Sequence, residues 1–132
     1  MKCLIVEDEI ISSRILEGMM SRYASCEVVS NGQEALARFQ QAHEANSPYD
    51  VILMDIMMSE ISGLEVVTLI REQQALKKMS LSQRVKIIMT TSLDDPRTVI
   101  KALFESDANS YLTKPITAAK IADELRKLKI IG

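Results

Sequence analysis

Apolar residues fall into two alternating patterns along the chain. The first is a set of short continuous runs: CLIV (Cys3 to Val6), CEVVS (Cys26 to Ser30), VILM (Val51 to Met54), VKIIM (Val85 to Met89) and NSYLT (Asn109 to Thr113). Their length and their β-branched residues predict strands. Near-continuous apolar runs suit a parallel sheet covered on both faces.

The second pattern has helical spacing and fills the gaps. Ile11, Ile15 and Met19 recur every four residues in the first such segment. The second opens with Asn31 and Glu34 at cap spacing and carries Leu36 and Phe39. The third opens Ser62-Gly63-Leu64-Glu65, a capping box, and continues through Val66, Leu69 and Ile70. The fourth opens Asp95-Pro96, a cap residue and a first-turn proline, followed by Val99, Ala102 and Leu103. The fifth opens at Thr117, with Ile121, Leu125 and Leu128 on one stripe. Strand then helix, five times over, predicts an α/β (βα)5 fold. Its parallel sheet is doubly wound, with helices on both faces. In such sheets ligands bind beyond the carboxyl ends of the strands.

Bulk properties narrow the classes. A chain of 132 residues fits one domain, spanning residues 1–132, with enough length for an apolar core. The net charge of −2 provides no basic footprint for nucleic acid and no polybasic membrane patch. Lys127 and Lys129 sit where the last helix ends and complement its dipole. The two cysteines, Cys3 and Cys26, are too few for a disulfide framework and read as small core hydrophobes. No leader or membrane span is evident, so the expected location is cytoplasmic, and no effector domain is expected after the fifth helix. The stretch from Lys77 to Gln83 reads as a long helix-to-strand connection.

The polar residues that follow the apolar runs carry the candidate chemistry. They are Glu7-Asp8-Glu9 after strand one, Asp55 after strand three, Thr90-Thr91-Ser92 after strand four and Thr113-Lys114-Pro115 after strand five. Carboxylates that converge at one edge repel unless a cation joins them. All-oxygen donors favour Mg²⁺, with Mn²⁺ as the alternative, over Zn²⁺. A lysine and a hydroxyl beside them make a phosphoryl cradle, and one carboxylate can act as a nucleophile. Each residue also has an ordinary reading. Asp8 or Glu9 caps the first helix, Thr91 ends a strand, Lys114-Pro115 makes a turn and Tyr111 is a strand aromatic. His43, the only histidine, is a partly exposed helix residue, and Met57-Met58 flank the site. Asp55 resists the ordinary reading, because an unpaired buried carboxylate costs on the order of several kcal/mol.

Glu7-Asp8 after LIV, Asp55 in LMDIMMSEISG, Thr91 in IIMTTS and Lys114 in YLTKP together resemble the response-regulator receiver family. The resemblance runs over essentially the whole chain. It implies a flavodoxin-like sheet of strand order 2-1-3-4-5 and a phosphorelay switch. Asp55 would be the phosphoacceptor. Asp8, Asp55 and the Met57 carbonyl would bind Mg²⁺, with Glu7 acting mainly through water. Thr91 and Lys114 would contact the phosphoryl group, Tyr111 would be the rotamer switch, and the Lys114–Pro115 bond would be cis.

A sensor histidine kinase or histidine phosphotransfer protein would be the donor. Output would pass in trans to another protein through helix four, strand five and helix five, the chain being a monomer or a phosphorylation-dependent dimer. Such a protein is not an enzyme in the ordinary sense, since it catalyses only its own phosphorylation and dephosphorylation. The chain departs from the family at Ser59, where many relatives carry proline, and the resemblance implies a more mobile loop there. Thr90 stays open beside Thr91. Two other functions remain. One is a Mg²⁺-dependent aspartyl-nucleophile phosphohydrolase, disfavoured by Met57 where a second aspartate would stand. The other is a pseudo-receiver that serves only as an interaction module. A flavodoxin-like cofactor carrier lacks support, with 4% aromatic residues and no phosphate-cradling loop.

Overall fold

The computed structural model describes every residue except 59 and 93–95, and for 96, 98, 101 and 102 it describes the backbone alone. Ser59 and Asp95, the expected loop variant and helix cap, therefore lie outside the described residues. The order is β1 (Lys2–Val6), α1 (Ile10–Met20), β2 (Ser25–Val29), α2 (Gly32–Glu44), β3 (Val51–Asp55), α3 (Gly63–Leu76), β4 (Lys86–Thr91), α4 (Pro96–Ser106), β5 (Ser110–Thr113) and α5 (Ala118–Lys127). A one-turn 3₁₀ helix, Leu81–Gln83, interrupts the connection into β4.

The strands form one parallel sheet in the order β2-β1-β3-β4-β5, as expected. Alternate residues point to opposite faces, so the sheet divides the interior in two. Leu4, Val6, Ile52, Met54, Ile87 and Met89 pack against α2 and α3. Cys3, Ile5, Val51, Leu53, Ile88 and Leu112 pack under α1 and α5. Both faces of the central strands are buried, which is why they read as unbroken apolar runs.

The caps explain where the helices start. Asn31 accepts the Glu34 N–H at 2.8 Å, Ser62 accepts that of Glu65 at 3.4 Å, and Thr117 accepts that of Lys120 at 3.2 Å. One expectation fails. Ile11 and Ile15 are 66% and 51% exposed, and the buried face of α1 is Ser13, Leu16 and Met20. The helix is rotated so that its isoleucine stripe faces outward.

Candidate functional site

The carboxyl ends of β1, β3, β4 and β5 meet at one edge of the sheet. β1 runs out into Glu7, which is 2% exposed, and then into exposed Asp8. β3 lies between β1 and β4, with Met54 opposite Val6 and Asp55 opposite Thr90. That pairing puts Asp55, itself 3% exposed, at the middle of the edge. Glu7, Asp8 and Asp55 each bring a carboxylate oxygen within 4.8 Å of the others'. Glu9 is the cap of α1, accepting the N–H groups of Ile11 at 3.1 Å and Ser12 at 2.7 Å. The capping role weighed for Asp8 or Glu9 thus belongs to Glu9, leaving the Asp8 carboxylate to the acidic cluster.

Lys114 reaches this cluster from the end of β5. Its Nζ donates to Glu7 Oε1 at 2.8 Å and lies 3.5 Å from Asp55 Oδ2. Its backbone N–H donates to the Thr91 carbonyl at 2.7 Å, and the peptide bond to Pro115 is cis, as the resemblance implies. One ammonium cannot neutralise both buried acids. Burial, and then the Glu7 carboxylate beside it, push the Asp55 carboxyl up to about 7, against the pull of Lys114 and the Met57 N–H. Burial also opposes ionisation of Glu7, but its bonds to Asp55 and Lys114 hold it below the usual carboxylate range. Lys114 is raised, because Glu7 and Asp55 outweigh its own burial. Asp55 therefore holds its proton more tightly than Glu7 does.

The backbone beyond Asp55 is held from both sides. The Ile56 N–H donates to the Thr90 carbonyl at 3.0 Å, and the Met57 N–H donates to Asp55 Oδ1 at 3.2 Å. Met57 is 61% exposed, whereas Met58 packs against the α2–α3 core. Glu60 takes a left-handed φ of 70° to return the chain toward α3. There the Gly63 N–H donates to the Ile56 carbonyl at 3.0 Å. A Cβ on Gly63 would lie 2.0 Å from the Asp55 carbonyl oxygen, so only glycine lets α3 start this close.

β4 is longer than the apolar run suggests, because Thr90 and Thr91 belong to it and are 1% and 0% exposed. The Thr90 hydroxyl oxygen is buried with no hydrogen-bond partner among the described residues. Thr91 shares the α2–α3 face with Met89, which lies opposite Tyr111 in the sheet. Tyr111 is half-buried on that same face. His43 stacks on Phe39 within α2, with ring centroids 6.1 Å apart.

The donor set suits a hard divalent cation. It offers three carboxylates within reach of one another, with neither sulfur nor imidazole among them. Glu7, Asp8 and Asp55 are thus brought together as the sequence anticipates, and Lys114 joins them. The resting bond from Lys114 to Glu7 was not legible in the sequence. Nor was the exposed face of Ile10, Ile11 and Ile15, which borders a 180 Å³ cleft lined by Ser12, Ile15, Leu16, Lys114, Pro115 and Ile116. The signal for it was present: three isoleucines in one short helix are more than one buried stripe requires.

Comparison with known proteins agrees with this fold. The family model described as the response regulator receiver domain matches residues 3–126. The hybrid signal transduction histidine kinase L of Dictyostelium discoideum is 36% identical over 128 residues, which are 96% of this chain and 7% of that protein. The response regulator protein VraR of Staphylococcus epidermidis is 33% identical over 126 residues, 96% of this chain and 55% of that one. The chain thus spans about half the length of the curated regulator it matches and a small part of the kinase. Among solved structures, the Saccharomyces cerevisiae Ssk1 receiver domain, co-crystallised with the phosphotransfer protein Ypd1, superposes with a TM-score of 0.82. It is 25% identical, over 96% of this chain and 87% of that one. With its five-stranded sheet in the order β2-β1-β3-β4-β5 and the family match over nearly its whole length, this chain belongs to the response regulator receiver domains of two-component signalling.

Proposed function

We propose that residues 1–132 work as one receiver unit that accepts a phosphoryl group on Asp55 and signals in trans. One observation carries this reading: a buried Asp55 shares a strand-end site with Glu7, Asp8 and Lys114. An Asp55 oxygen attacks the phosphorus of a phosphohistidine, the P–N bond breaks, and the imidazole leaves as an acyl phosphate forms. Mg²⁺, or Mn²⁺ in its place, would be held by Asp8, Asp55 and the Met57 carbonyl, with Glu7 acting through water, and would neutralise charge on the phosphoryl oxygens. Lys114 exchanges its bond to Glu7 for one to a phosphoryl oxygen. The Thr91 hydroxyl donates to another, and Tyr111 follows Thr91 inward on their shared face. Output then passes through the α4–β5–α5 surface, where Ile100 and Phe104 stand 50% and 87% exposed. The only reactions catalysed are the domain's own phosphorylation and dephosphorylation.

The donor is a sensor histidine kinase or a histidine phosphotransfer protein, and the Ypd1 partnership of the Ssk1 receiver supports that class. It docks on Ile10, Ile11 and Ile15 of α1, whose apolar face lies next to the cleft that Lys114 lines. A cytoplasmic location and the absence of nucleic-acid binding fit the net charge of −2 and the lack, among the described residues, of a helix long and apolar enough to cross a membrane. The test is incubation with a small acyl-phosphate donor and Mg²⁺, followed by intact-mass measurement. A gain of one phosphoryl group is expected, and it disappears in Asp55→Asn. Retention of the adduct in that variant would overturn the assignment.

A further inference from the structure

The sheet edge far from Asp55 holds a pair of thiols that the phosphoryl chemistry does not use. Cys3 lies on β1 and Cys26 on β2, directly opposite each other in the parallel register. Residues opposite each other in a sheet project to the same face, and both thiols belong to the cluster beneath α1 and α5. Neighbouring strands run about 4.8 Å apart. That falls within the roughly 4.4–6.8 Å between Cα atoms that a disulfide spans. Both cysteines are free.

We propose that Cys3 and Cys26 form a redox-reactive dithiol, a modification site that closes to an intramolecular disulfide by exchange with a low-molecular-weight disulfide.

The two thiols differ in ways that assign their roles. Cys26 is half-buried on β2, the edge strand, whereas Cys3 is 0% exposed. Contact with Cys26, and then burial, push the Cys3 thiol up, while the same contact draws the Cys26 thiol down. Burial and the charge of Glu17 oppose that fall at Cys26 without cancelling it. Cys26 is therefore the attacking thiolate. It forms a bond to one sulfur of the small disulfide, and the other sulfur departs as a thiolate. Cys3 Sγ then attacks Cys26 Sγ, and the second small thiolate departs with the Cys3 proton as a thiol. In sum, one small disulfide is reduced to two thiols as two protein thiols are oxidised to one disulfide.

Cys3 precedes Glu7 by four positions on β1, about 13 Å at strand rise. The new bond ties the edge strand to its neighbour across the loop that contains α1, without reaching the acidic site. It is therefore tested separately from phosphorylation.

The test incubates the intact chain with glutathione disulfide at pH 8. The expected product has lost two hydrogens, yields a Cys3–Cys26 linked peptide on digestion, and shows a raised Tm that dithiothreitol reverses. In Cys3→Ser, the glutathionyl adduct on Cys26 persists instead of resolving. A stable Cys26 adduct in the unsubstituted chain, or linkage appearing only in denaturant, overturns the proposal. Iodoacetamide labelling of the unsubstituted chain gives a reading free of any folding defect: Cys26 is modified first and Cys3 is protected, whereas equal labelling of both would count against the assigned roles.

Discussion

At the scale of single residues, Asp55 is where the proposed function and stability oppose each other. Its carboxyl, raised to about 7 in the folded chain, releases its proton near pH 4 once unfolded. Between those values the folded state holds a proton that the unfolded state has lost, so stability falls as pH rises through that window. Without divalent cation, Tm should decline from about pH 4 to pH 7, with Asp55 contributing about 2–3 kcal/mol of that loss. Asp55→Asn should flatten the profile in a thermal-unfolding series. An unchanged slope in that variant would remove Asp55 as the cause. The residue types at this site were legible in the sequence, because a carboxylate ending a buried strand demands a partner. Which partner it has at rest was not: the Lys114–Glu7 bond joins residues 107 positions apart. Only the folded sheet edge brings them together.

At the scale of elements, α3 carries a buried cation that the apolar pattern concealed. Arg71 is 8% exposed, on the same face as Val67, Ile70 and Gln74. Its Nε donates to the Asp107 carbonyl at 2.9 Å, and its terminal nitrogens to Gln74 Oε1, the Val85 carbonyl and Asn109 Oδ1 at 2.8 Å each. It thereby ties α3 to the start of β4 and to the turn between α4 and β5. Arg71→Ala strands these acceptors and should cost about 2–4 kcal/mol by chemical denaturation. The clue was a charged residue at core spacing within an apolar stripe.

Strand order and helix starts followed from alternation and caps, which are local. The facing of α1 did not, since Ile11–Ile15–Met19 and Ser13–Leu16–Met20 have similar spacing and only packing chooses between them. The choice leaves an apolar face in solvent. Ile11→Ser combined with Ile15→Ser should leave stability within about 0.5 kcal/mol. The same pair should slow phosphoryl transfer from a protein donor by about tenfold, a binding loss near 1.4 kcal/mol. Uptake from a small acyl phosphate should stay unchanged. Equal slowing with both donors would place the defect in the site itself.

For the whole molecule, the acidic edge makes stability depend on the medium. A cation that binds only the folded state adds RT ln(1 + [L]/Kd), about 2.7 kcal/mol at a hundredfold excess over Kd. Millimolar Mg²⁺ should therefore raise Tm, and Asp55→Asn should blunt that rise in calorimetry. The start of α3 imposes a different kind of limit. Because the Asp55 carbonyl occupies the space a Cβ at Gly63 would need, the fold constrains position 63, whereas position 55 is constrained only by its proposed function. In a library of all single variants sorted for soluble expression, position 63 should come back as glycine alone while position 55 tolerates exchange. Sorted for signalling, both positions become invariant. The contrast between the two sorts separates residues that build this molecule from residues that use it.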